Sequence, residues 1–183
     1  MKKSRFAVIM QSTALLTGLV TCAAAVLYSK VHFPFLLTLA ITFGTTFYHF
    51  AIRLAVGTLV HNRFDYRCRW FRPMPFEAAL YKRLRLKHWK KNMPTYDPRL
   101  FSLQHNTLEQ IIRNMCQAEV VHEIIIFFSF VPILFSLLWD TFWVFLITSV
   151  FAACIDLIFV MLQRYNRPRL VRLLRSGKKG SAI

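Results

Sequence analysis

Long oily stretches alternate with short charged ones along this chain. Four mostly apolar runs, about 6–29, 33–60, 120–139 and 142–162, stand out. Each is long enough to cross a bilayer, which takes roughly 20 helical residues. The segment between the second and third runs has a different period. In "FEAALYKRLRLKHWKK", Phe76, Leu80 and Leu84 recur at every fourth position, with Leu86 and Trp89 beside them. Lys82, Arg83, Arg85 and Lys87 fill the other face. This spacing predicts an amphipathic helix lying in the membrane interface, starting after "RPMP" and stopping at Pro94. A further helix is expected from Asn106 or Thr107, with Glu109 in its first turn, running through "LEQIIRNMCQAEVVHEIII" into the third run.

The pattern therefore reads as an all-α integral membrane protein with four transmembrane helices in two hairpins. The hairpins occupy residues 1–60 and 119–183, and a basic, cytoplasmic, interfacial helical segment, 61–118, lies between them. The first run follows "MKKSR" and contains "TCAAAV", which raises the question of a cleaved signal peptide. Its apolar region is longer than the usual core of such peptides, so a retained helix is expected.

Charge gives the direction. Three basic residues precede the first run (Lys2, Lys3, Arg5) and one, Lys30, separates the first two. Twelve lie in 61–118 and seven in 163–183, while the turn near residue 140 has none. With both termini and the central segment cytoplasmic, the basic segments share one side of a cell membrane. Composition narrows the class further. The 183 residues are 56% hydrophobic and carry a net charge of +16. Nucleic-acid binding needs a solvated basic surface rather than oily runs between basic ones, so no nucleic-acid partner is expected. Anionic membrane lipids, or an anionic lipid-like substrate, fit the charge. Cys22, Cys68, Cys116 and Cys154 are too scattered for a disulfide framework or a zinc site.

Ionisable residues inside membrane runs are rare and usually functional. Here they are His49 and Arg53 in the second run, Glu119, His122 and Glu123 at the start of the third, and Asp156 in the fourth. His49 and Arg53 are one helical turn apart, as are Glu119 and His122. An antiparallel hairpin turning at "WDTFW" sets Glu119 opposite Arg164, and His122 opposite the region of Met161. The Glu-x-x-His turn should then meet "QRYNRPRL", residues 163–170, at the cytoplasmic interface. Such a set suits acyl transfer, with a His as general base and a carboxylate to orient it. Arg and Asn donors would hold a phosphate or a developing oxyanion. An ion pair of Glu119 with Arg164 or Arg167 accounts for the same spacing, so spacing alone leaves both readings open. No second ligand set stands at matching depth, and no metal is expected. Arginines at a helix exit also serve as headgroup anchors. Pro168, however, is expected to end the helix there and make a hydrogen-bond-rich turn.

Three blocks resemble a known family. "QRYNRPRLVRLL" after the fourth run, "LRLKHWKKNMP" and "AEVVHE" stand in the order and spacing of the glycosyl-4,4'-diaponeurosporenoate acyltransferases, over roughly residues 70–175. The chain departs from the family pattern at Met115 and Gln117, where Thr and Arg are usual, and at Asp156, where an amide is usual. The resemblance implies transfer of a fatty acyl group to a sugar hydroxyl on a glycosylated, membrane-embedded isoprenoid. It brings in Lys87, Trp89, Lys90, Glu119, His122, Arg164, Asn166, Arg167 and Arg169, with Tyr165 and Pro168 shaping the turn.

The expected function is membrane-bound acyl transfer, with His122 activating the acceptor hydroxyl and Glu119 orienting it or pairing with an arginine. Lys87, Lys90, Arg164, Arg167 and Arg169 would bind the phosphates of the donor, acyl-CoA or a phospholipid, as co-substrate with no further cofactor. Asn166 would contact the oxyanion, Trp89 would stand beside the bound substrate, and Asp156 would line the path of a lipid-linked sugar acceptor or simply hold helices together. The alternatives are a small membrane lipid methyltransferase and a non-enzymatic protein that binds anionic lipid.

Overall fold

The computed structural model describes residues 5–60, 64–95, 97–139 and 142–180. Among them every regular element is helical: α1 (Arg5–Val31), α2 (Pro34–Leu59), α3 (Glu77–Arg83), α4 (Leu86–Trp89), α5 (Leu108–Phe128), α6 (Ser136–Trp139) and α7 (Phe142–Gly180), with short 3-10 turns between some of them. Four described stretches are long and apolar enough to cross a membrane: Arg5–Val31, Pro34–Leu59, Leu108–Phe135 and Phe142–Ser176. The protein is an all-α membrane protein. The "WDTFW" turn falls on Asp140 and Thr141, outside the described residues.

The chain forms two compact units, each made of separate stretches: 1–59 with 124–155, and 60–123 with 156–183. In the first unit, α1 and α2 form a hairpin through small residues. Ala7, Ala14, Thr17 and Ala24 are the buried positions of α1. A Cβ on Gly18 would sit 3.1 Å from the Phe47 ring, and one on Gly44 would sit 3.2 Å from Thr21 Cγ2. Small residues let helices approach closely where lipid supplies no hydrophobic drive to pack. Leu15, Leu16 and Leu19 stay outward, as lipid-facing positions should. Thr17, Thr21 and Thr45 return their hydroxyls to carbonyls one turn back, which keeps them satisfied without water.

The third membrane stretch differs from a straight helix. α5 ends at Phe128 and a 3-10 turn, Val131–Phe135, follows with Pro132 near its start. Proline lacks the N–H that would bond to the carbonyl four residues earlier, at Phe128. The Tyr48 hydroxyl donates to that carbonyl at 2.9 Å instead. Arg53, on the same helix as Tyr48, is held by backbone carbonyls: Nη1 donates to His49 O at 2.6 Å and Nη2 to Ala152 O at 3.1 Å.

Two expectations fail in the second unit. The amphipathic segment is not one helix. α3 stops at Arg83, Arg85 takes the left-handed conformation with φ 50°, and α4 begins at Leu86. A left-handed non-glycine residue costs roughly 1–2 kcal/mol. The break turns Leu86 fully inward and lets Trp89 Nε1 cap the Leu84 carbonyl at 2.9 Å. Tyr81, Leu86 and Leu162 form a core with Trp89, Met93 and Tyr165 against it. Phe76, Leu80 and Leu84 remain exposed. The second failure is at Pro168, which does not end the helix: α7 runs through it to Gly180. The lost backbone hydrogen bond is tolerated where the turn just before the proline is fixed by the buried partners of Arg164 and Arg167.

The N-terminus of α5 follows its sequence signal. Thr107 Oγ1 accepts from Gln110 N at 3.2 Å, and Gln110 Oε1 accepts from Thr107 N at 2.7 Å. This reciprocal pair is a capping box.

Candidate active site

α5 and α7 carry most of the buried ionisable residues of the second unit, and these and their neighbours fall into three groups. The first is a buried ionic cluster. Glu119 and Arg167 are almost wholly inaccessible, and Glu77 and Arg164 nearly so. Arg164 donates through Nε to Glu77 Oε1 at 2.6 Å and through Nη1 to Glu119 Oε1 at 2.7 Å. Arg167 Nη1 donates to Glu119 Oε2. Backbone carbonyls take further donors: Trp70 O and Arg72 O accept from Arg164, and Phe71 O accepts from Arg167. The Arg167 guanidinium also lies 4.9 Å from the Phe71 ring centre. Two carboxylates and two guanidiniums give no net charge, and the arginine forks straddle several acceptors as their planar geometry allows. The cluster straps the 69–72 turn and the start of α3 to α7. The Tyr81 phenol beside Glu77 is pushed up to about 12, chiefly by burial and then by that carboxylate, so it stays a neutral hydroxyl.

The second group is a dyad one turn further along α5. His122 Nδ1 and Asp156 Oδ1 are 2.8 Å apart. Asp156 is buried, whereas the His122 side chain keeps 22% of its surface exposed. The imidazole stacks on Phe159, with ring centres 4.8 Å apart and planes within 12°. A carboxylate acceptor on Nδ1 fixes the tautomer and directs Nε2 outward. Glu123, one residue after His122, accepts from Trp70 Nε1 at 2.9 Å.

The third group gathers around Tyr165. Lys90 Nζ donates to Asn166 Oδ1 at 2.7 Å and lies 4.9 Å from the Tyr165 ring centre. The Arg169 guanidinium lies 4.1 Å from the same centre and donates to the Tyr165 hydroxyl at 2.7 Å. The buried Leu86 and half-buried Trp89 dock this end of α4 on α7, which delivers Lys90 to the ring.

The structure thus divides the residues singled out in the sequence. Glu119, Arg164 and Arg167 come together as a sealed cluster. His122 stacks on Phe159, two residues from Met161, and its Nδ1 meets Asp156. Lys90, Asn166 and Arg169 share a tyrosine. Lys87 is exposed and joins none of these groups among the described residues. His49 and Arg53 belong to the other compact unit. Sequence reasoning missed Glu77 and Phe159. Glu77 did leave a signal, as the single acid between Asp65 and Asp97 in a strongly basic stretch; Phe159 left none among so many phenylalanines. Among the described residues, no three His, Cys, Asp or Glu side chains converge as metal ligands. The cysteines are free thiols.

Four stretches able to cross a membrane and a partly exposed histidine held by a buried carboxylate fit the class of membrane enzymes. The model of the glycosyl-4,4'-diaponeurosporenoate acyltransferase family matches residues 67–176, and the chain belongs to that family. It is accordingly an acyltransferase of carotenoid biosynthesis. The matched stretch contains all three groups. No curated protein and no solved structure matches the chain.

Proposed function

We propose that the protein moves a fatty acyl group from an acyl-CoA or phospholipid donor to a sugar hydroxyl of a glycosylated isoprenoid, at the cytoplasmic leaflet of the cell membrane, with both termini inside. The family supports the reaction class, and the basic segments flanking the membrane stretches support the leaflet. The observation that carries the mechanism is the 2.8 Å contact of His122 Nδ1 with the buried Asp156. It leaves Nε2 as a base on a side chain that is partly accessible. Nε2 takes the proton of the acceptor hydroxyl as its oxygen attacks the donor carbonyl. The C–S or C–O bond to the donor then breaks, and the departing thiolate or alkoxide recovers the proton from His122. Asp156 stabilises the imidazolium between these steps. In this reading Asp156, not Glu119, orients the base, and Glu119 holds the architecture.

The test is mass spectrometry of total lipid from cells with the protein, without it, and with His122→Ala. A lipid that gains one fatty-acyl mass only with the intact protein is the expected result. A gain of a methyl mass would point to methyl transfer instead. No change with well-expressed protein would overturn the proposal.

A further inference from the structure

The cations of the second unit are not equivalent. Arg164 and Arg167 are buried and neutralised by Glu77 and Glu119, with backbone carbonyls on their other donors. An anion from outside could reach them only by displacing those carboxylates. Lys90 and Arg169 differ in both respects. Lys90 is half-buried and Arg169 is exposed. Among the described residues no carboxylate pairs with either; their partners are the Asn166 amide and the ring and hydroxyl of Tyr165, all neutral. Two positive charges are therefore held against one aromatic ring without compensation, at a position built for them. Leu86 and Trp89 fix the backbone under Lys90, the ring of Tyr165 meets that of Tyr81 edge-on at 5.7 Å, and the Tyr165 hydroxyl fixes Arg169. Both cations lie close to the same ring centre, at 4.9 and 4.1 Å, so one anion beside the ring is attracted by both.

We propose that Lys90 and Arg169, set on Tyr165, form the seat for the phosphate ester of the acyl donor, and that Arg164 and Arg167 take no part in holding it. The inference rests on the acyl-transfer reading for what the ligand is, and on geometry for where it sits. Both candidate donors carry the same group: acyl-CoA through its diphosphate and phospholipid through its phosphodiester. A guanidinium offers that group a forked pair of donors and the ammonium a point charge. Asn166 keeps the ammonium beside the ring until the phosphate arrives.

Binding is measured in the His122→Ala background, where chemistry is stopped, so the result does not depend on turnover. Purified full-length protein in neutral-detergent micelles is titrated with palmitoyl-CoA and, separately, with phosphatidylglycerol. The Lys90→Gln, Arg169→Gln double variant is expected to weaken binding of one of them by about tenfold for each charge-assisted bond lost. The probe that responds identifies the donor. Tyr165→Phe keeps the ring and the core but frees Arg169, and should weaken binding several-fold. It also serves as the test should the double variant fail to fold. Lys82→Gln with Arg83→Gln, on the exposed face of α3, removes equal charge and should leave binding intact. Unchanged affinity for both probes in the double variant overturns the inference, as does an equal loss in the α3 control. A wild-type protein that binds a probe through this seat and transfers no acyl group counts against the acyl-transfer reading alone.

Discussion

Glu119 and His122 stand one turn apart on the same helix, and the structure gives them opposite surroundings. Glu119 is sealed among Arg164, Arg167 and, through Arg164, Glu77. His122 meets one buried carboxylate and keeps part of its ring accessible. A charge network whose guanidiniums are buried and already paired with carboxylates has little left to offer a substrate, but it can hold a turn, a short helix and a long helix together. A dyad with an unblocked nitrogen does the reverse. Proximity in a motif is therefore a poor guide to shared chemistry, and burial separates the two roles.

The strongest way to break this comparison is to remove the carboxylate at the centre of the cluster. Glu119→Gln leaves two buried guanidiniums facing one remaining carboxylate. Losing one member of a buried ion pair costs about 3–5 kcal/mol, because the other charge stays desolvated. Thermal unfolding in detergent should show a midpoint lowered by on the order of 10 °C. Adding Arg167→Met to Glu119→Gln should recover part of the loss, since the pair is then removed together. A Glu119→Gln protein with unchanged stability and no activity would place Glu119 in the chemistry instead.

His122→Ala should show the converse. The side chain is partly exposed and its loss strands one carboxylate rather than two guanidiniums, so the fold should survive with the same secondary structure and a smaller loss of stability than Glu119→Gln. Acyl transfer should fall by roughly 10²–10⁴-fold, the span that a positioned general base supplies. Retained turnover in a well-folded protein would remove the base assignment.

Asp156 refines the point. Asp156→Asn keeps an oxygen that can accept from Nδ1, so the tautomer survives and only the charge opposite the imidazolium is lost. Acyl transfer should fall by about tenfold, with Asp156→Leu falling further, toward the His122→Ala level. A loss that falls on kcat, with KM unchanged, separates orientation of the base from bulk packing. Equal activity in both variants would show that Asp156 merely packs.

How much of this was legible beforehand follows from what each feature depends on. The membrane stretches and the start of α5 depend on local composition and a capping box, and both stand in the sequence. The opposition of Glu119 and Arg164 follows from counting residues around a hairpin turn. The same counting sets His122 opposite the region of Met161, where it stacks on Phe159, but does not show that its Nδ1 reaches Asp156, about one turn earlier on α7. Helix rotation, which symmetric counting ignores, decides such pairings. The break at Arg85 was hidden because its cause is tertiary: burying Leu86 and docking Trp89 outweigh one strained backbone residue. The continuation through Pro168 is hidden for a similar reason, since a proline rule describes an isolated helix and this one is clamped by Arg164 and Arg167 in the turn before the proline. Glu77 was passed over because an acid in the first turn of a helix has a sufficient local explanation in the helix dipole. Only the fold shows that it neutralises Arg164.

The smallest effect comes from an ion pair that resembles the cluster on paper. Asp97 receives the backbone N–H and the guanidinium of Arg99, with Nε 3.1 Å from Oδ1. The side chains keep 31% and 45% of their surface exposed. The Arg99 hydrogen bonds hold the Asp97 carboxyl below its usual range. A folded-state value lower than the unfolded one means stability is present above the unfolded pKa, near 4, and is lost as pH falls through the folded one. For a pair this exposed the amount is a few tenths of a kcal/mol. Asp97→Asn should therefore shift the thermal midpoint by about a degree at neutral pH, and by nothing measurable at a pH well below the carboxylate range. If Asp97→Asn proved as damaging as Glu119→Gln, burial would not be what separates them, and the contrast between a sealed cluster and its exposed counterpart would fail.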